Sequence, residues 1–175
     1  MTTTTRRLNV RRRGEARTLI LGVFAVLLVV SVSACAPMGG KTPESGTSMP
    51  AAIMDPYLEI QDALSDDRTD TIKANAGNIA TAATALGAPA MKIDTAALQL
   101  SAAADGEHPD IQTVRDKFGV LSEAIDTYMT GLKITPPAGV RVAFCPMANK
   151  PWLQKGETLS NPYYGKDMPT CGNFR

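Results

Sequence analysis

Among its 175 residues the chain has one histidine and one tryptophan, and aromatic residues make up only 5% of it. The lone histidine, His108, excludes zinc sites of the usual ligand sets, since no closely spaced cysteine pair stands in for the missing imidazoles. It also leaves no Ser/His/Asp or Cys/His constellation for nucleophilic catalysis, so the chain reads as a non-enzyme. Cysteine is scarce too. Of Cys35, Cys145 and Cys171, none begins a Cys-x-x-Cys pair, which argues against a thiol oxidoreductase. The longest apolar run, Leu19 to Val32, falls short of the roughly 20 residues that span a bilayer comfortably as a helix. Beyond Cys35 no basic patch exists: residues 36–175 carry 12 Lys/Arg against 16 Asp/Glu, a net charge of about −4. That balance argues against a nucleic-acid partner.

What is present begins with a leader. Arg6, Arg7, Arg11, Arg12, Arg13 and Arg17 precede the apolar run, and the small residues Ser33 and Ala34 follow it. This order of charged, apolar and small segments is that of a secretion signal, here residues 1–34. Val32-Ser33-Ala34-Cys35 resembles the lipobox of bacterial lipoproteins. The resemblance implies a diacylglycerol on the Cys35 sulfur and a further fatty acyl group, such as palmitate, on the new amino terminus. Several chains anchor durably, because each buried methylene contributes about 0.8 kcal/mol. An uncleaved signal anchor is the competing reading, and Arg6-Arg7 carries a faint twin-arginine hint. Ala36 stands where an Asp would imply inner-membrane retention, so the expected location is the outer membrane, facing the periplasm.

Residues 35–53 are rich in Pro, Gly, Ser and Thr and read as a flexible tether, its methionines Met38 and Met49 incidental. The rest, residues 54–175, has the length of one domain with one core, and no internal repeat. Asp55-Pro56 looks like a helix start, followed by Tyr57, Leu58, Ala63 and Leu64 on one stripe. Asp66, Asp67 and Asp70 read as caps of a second helix ending at Leu86 before Gly87-Ala88-Pro89. A third helix fits Ala90–Ala104, with Met91 in the core. A fourth is marked by Ile111, Val114, Phe118, Leu121, Ile125, Tyr128 and Leu132, capped by Asp110. The expected fold is therefore all-α: an antiparallel four-helix bundle. After Pro136-Pro137, only Val140, Val142 and Phe144 alternate as in a short extended segment. From Cys145 onward the chain reads as an irregular, aromatic-rich tail packed on one end of the bundle.

Two chemistries compete in that tail. Cys145-Pro146-Met147 and Met168-Pro169-Thr170-Cys171 present two thiols and two thioethers on short, stiff segments. Such donors select Cu(I) or a similar soft ion. The alternative is a Cys145–Cys171 disulfide formed in an oxidising periplasm, a staple worth roughly 3.5 kcal/mol on the chain-entropy model. On the residues alone the disulfide has the better claim. His108 at a helix–helix turn reads as solvated, and Asp66, Asp67 and Asp70 lack the spacing of a calcium loop.

The tail also follows a pattern of order and spacing: Cys145-Pro-Met-Ala148, Trp152-Leu153, Asn161-Pro-Tyr-Tyr-Gly165, Met168 and Cys171-Gly172. With Tyr57, Ala63-Leu64-Ser65-Asp66-Asp67, Phe118 and Leu121-Ser122 upstream, it resembles the domain of unknown function 3347 family. That family is a periplasmic domain found alone or fused to membrane fusion proteins of heavy-metal efflux systems. The resemblance implies a metal site of Cys145, Met147, Met168 and Cys171, with Trp152, Asn161 and Tyr164 holding the tail in shape. It favours Cu(I) binding over the disulfide, and an efflux complex as partner. Pro169 departs from the pattern, where a leucine is expected. The chain lacks the hairpin and lipoyl-like segments of a fusion protein, so the resemblance implies buffering or delivery of metal, while a disulfide-stapled interaction module is the alternative.

Overall fold

Helix α1 (Ala51–Ser65) turns Ile53, Met54, Tyr57, Leu58, Ile60 and Leu64 inward, a stripe at helical spacing that packs on the rest of the core. It starts earlier than Asp55-Pro56 suggests. Pro50 opens it, its carbonyl accepting the N–H groups of Ile53 and Met54 at 3.0 Å, and Pro56 lies inside. The computed structural model describes residues 48–175; the signal peptide, Cys35 and the tether through residue 47 lie outside the described residues. The last residues assigned to the tether belong to the fold: Met49 is buried and donates its N–H to the Thr135 carbonyl at 3.1 Å.

Helices α2 (Ile72–Leu86) and α3 (Met91–Ala103) meet through small side chains. Ala76, Ala80 and Ala83 of α2, with Ala96 and Ala97 of α3, are buried, while Ile72, Ile79, Ile93 and Leu100 fill the core between and below them. A short 3-10 turn, Ala88–Ala90, separates the two after Gly87. Met91 does not join the core; it is 62% exposed at the start of α3. Helix α4 (Ile111–Leu132) begins where expected, its Thr113 N–H capped by the Asp110 carboxylate at 2.9 Å. It ends on Lys133 in the left-handed conformation.

The architecture is mixed α/β, and this corrects the all-α expectation. Strand β1 (Val140–Cys145) lies at the centre of a three-stranded antiparallel sheet. Strand β2 (Lys150–Lys155) pairs on one side, with Ala143 opposite Trp152, and β3 (Asn173–Phe174) pairs on the other, with Phe144 opposite Asn173. The alternation from Val140 to Phe144 marks β1 correctly, but β2 has no readable period. Pro151, Trp152, Leu153 and Gln154 are all buried, so no polar face alternates with an apolar one. Pro151 is tolerated because β2 is an edge of the sheet.

One aromatic cluster joins sheet to helices. Tyr57 stacks on Phe118 at 5.1 Å, Phe118 meets Tyr163 at 5.9 Å, and Tyr163 meets Trp152 edge-on at 6.0 Å. The Tyr57 hydroxyl accepts the Leu153 N–H at 3.2 Å and shares a hydrogen bond of 2.7 Å with Ser122. The tail is thus a sheet sharing the helices' core.

Candidate functional site

Cys145 closes β1 and Cys171 lies just before β3, so the pairing of these strands brings together thiols 26 positions apart in sequence. Both are free; Cys145 is buried and Cys171 is half-buried. The Cys171 thiol is raised above its ordinary value, first by desolvation, then by the charge of Cys145 and a hydrogen bond with it. The strand pairing and the Asn161 amide, which meets both Cys145 Sγ and the Cys171 carbonyl, set the two residues side by side.

Cys145 Sγ accepts two N–H groups at 3.4 Å, one from the Ala148 main chain and one from Asn161 Nδ2. Asn161, Trp152 and Tyr164 are the residues to which the resemblance gives the role of holding the tail in shape. Asn161 is fully buried and Trp152 likewise, its indole N–H donating to Gln154 at 2.9 Å, while Tyr164 is half-buried. The thioethers sit further out. Met147 occupies the turn between β1 and β2 and is 59% exposed. Met168 is half-buried, its carbonyl accepting the Cys171 N–H at 3.2 Å.

Among the described residues, no three His, Cys, Asp or Glu side chains converge as a metal site. The soft donors that the tail offers are two thiols and two methionine sulfurs, a set suited to Cu(I) and poorly suited to hard cations. His108 is exposed. Asp66, Asp67 and Asp70 do not cap α2, whose preceding residue Thr71 makes no side-chain cap. Asp66 and Asp70 instead flank Arg68 at 3.8 and 3.2 Å, and Asp67 meets Arg115 at 2.5 Å.

Arg115 escapes a reading that looks only for apolar stripes. It is buried on α4, donating to Leu64 O at 3.1 Å and Pro162 O at 3.0 Å as well as to Asp67. Its position three residues before Phe118, on the inward stripe, is the available signal. Leu64 to Asp67 on one side and Pro162 to Gly165 on the other meet across Arg115 as the two halves of one junction.

No family model, no curated protein and no solved structure matches this chain.

Proposed function

We propose that this chain is an exported lipoprotein, anchored by acyl groups on Cys35 and facing the periplasm, that binds Cu(I) or a related soft ion. Cys145 and Cys171 are the principal ligands, with Met147 and Met168 as flanking thioethers. The observation that carries this reading is that the β1–β3 pairing and the Asn161 amide bring two free cysteines side by side, one buried and receiving two N–H donors, the other nearer the surface. Hydrogen bonds from N–H groups stabilise a sulfur that bears negative charge, as a metal thiolate does. Exposed Met147 and half-buried Met168 lie on the solvent side, where an ion would enter or leave. Such a site suits buffering or delivery to an efflux system and involves no catalysis. The same adjacency favours one competing reading, a Cys145–Cys171 disulfide stapling an interaction module.

The test is intact mass of the chain with Cys35→Ser, exported and purified from the periplasm. It is measured native, then denatured with and without thiol alkylation. One bound copper, with two alkylatable thiols after the metal is stripped, is expected. Cys145→Ser should remove the copper-bearing species, and Met147→Leu with Met168→Leu should weaken its retention about tenfold. A metal-free mass two hydrogens lighter, inert to alkylation and unchanged by copper loading, would establish the disulfide reading instead.

A further inference from the structure

Asn161 stands between the two thiol-bearing segments, and its side chain has no exposure to solvent. The main chain fixes which end of its amide is which. Tyr163 N–H donates to one terminus at 2.8 Å, so that terminus is Oδ1 and the other is the NH2 group. That nitrogen has two hydrogens and two acceptors. One hydrogen goes to Cys145 Sγ at 3.4 Å and one to the Cys171 carbonyl at 2.6 Å. The main chain of Asn161 is tied as well, its N–H to Pro169 O at 2.8 Å and its carbonyl to Gly165 N–H at 3.0 Å.

Cys171 itself lies outside the paired strand: its N–H goes to the Met168 carbonyl at 3.2 Å, and the pairing with β1 begins only at Asn173. Strand β3 is two residues long. Between it and Cys171 lies Gly172, at φ +148, where an added Cβ would run into the Trp152 ring and the Phe144 carbonyl. The segment therefore passes close over the indole without a side chain to anchor it. A buried primary amide is costly unless its hydrogens are used. Here both are used, and on the two cysteines.

We infer that Asn161 is the positioning residue of the thiol pair: one amide holds the Cys145 sulfur and the Cys171 main chain together, so that the two sulfurs act as a preorganised two-point ligand. This rests on reading the pair as one unit and not on which ion it takes. The gain is in conformational freedom given up during folding instead of at the moment of binding.

The experiment measures that preorganisation without metal. The chain with Cys35→Ser is equilibrated with glutathione and glutathione disulfide. Two protein thiols reduce one glutathione disulfide, giving the Cys145–Cys171 disulfide and two glutathione thiols. The equilibrium constant has units of concentration and reports how often the sulfurs meet. Asn161→Asp keeps the shape and the acceptor for Tyr163 N–H but loses both donors. The constant should fall at least tenfold, which is about 30 mV for a two-electron couple. Tyr57→Phe loosens the same core without touching the thiols and should leave the constant within about twofold. An Asn161→Asp value within about twofold of the parent, or an equal fall in both variants, overturns the inference. Should Asn161→Asp fail to fold, the parent chain supplies the reading by NMR. The Asn161 side-chain amide protons should exchange about 100-fold more slowly than those of exposed Asn149, and one should shift on Cys145→Ser. Exchange at the rate of Asn149 sinks the idea. A parent chain that takes no copper would count against the proposed function alone.

Discussion

Gly165 stands at φ +53, where the tail crosses the Asp67–Arg115 pair, and a Cβ added there would collide with both the carboxylate and the guanidinium. Arg115 is 7% exposed and holds three acceptors, so any displacement leaves buried groups without partners. Gly165→Ala should therefore destabilise the fold by roughly 2–4 kcal/mol, combining left-handed strain with lost hydrogen bonds. Urea unfolding would show this as a lower midpoint at unchanged slope. A loss below about 1 kcal/mol would mean that the pair shifts aside at little cost. Residues such as Gly165, Asn161 and Asp67 are legible in the sequence as a pattern, yet their reasons are not. The contacts that require Gly165 and Asp67 join segments about 50 to 100 positions apart, and those of Asn161 join two cysteine-bearing segments 10 and 16 positions from it.

At the level of elements, helices with a clear apolar stripe and a cap were legible, and α4 is the best case. The start of α1 is not legible, because Asp55-Pro56 carries the local signature of a helix start. Packing of Ile53 and Met54 into the core outweighs that signature and carries the helix back to Ala51. Pro56 then sits in the first turns, lacking an N–H for the Ala52 carbonyl, and Ala52 itself is exposed. Pro56→Ala should restore the helix bond and raise stability by about 1–3 kcal/mol, seen as a higher thermal midpoint. An unchanged or lower midpoint would show that the proline ring, which is half-buried, packs well enough to offset the missing bond. Strand β2 was not legible for the opposite reason. Burial on both faces erases the period by which strands are recognised, and only its partners reveal it.

Across the whole molecule, the helices and the sheet are joined by phenols buried in an apolar setting, and this makes stability depend on pH at the alkaline end. Burial raises the Tyr57 hydroxyl far above its ordinary value of 10.0, outweighing the lowering effect of hydrogen bonds to Ser122 and Leu153. Tyr163, whose hydroxyl donates to the Pro151 carbonyl, is raised well above that value too, chiefly by burial. The unfolded chain releases these protons near pH 10 while the folded chain keeps them, so the unfolded state binds fewer protons in that range. Stability is full below about pH 10 and falls as pH rises beyond it, by up to about 1.4 kcal/mol per pH unit for each such phenol. Urea midpoints between about pH 8 and pH 11 should therefore drop steeply on the alkaline side. Tyr57→Phe should lower stability at pH 8 by roughly 1–3 kcal/mol, since Leu153 N–H and Ser122 lose a buried partner. The same substitution should flatten the alkaline drop by the share of one phenol. If the two chains lose stability in parallel above pH 10, Tyr57 ionises as freely in the folded state as in the unfolded one. The core joining helices to sheet would then be open to water at the place where the thiol-bearing tail is attached.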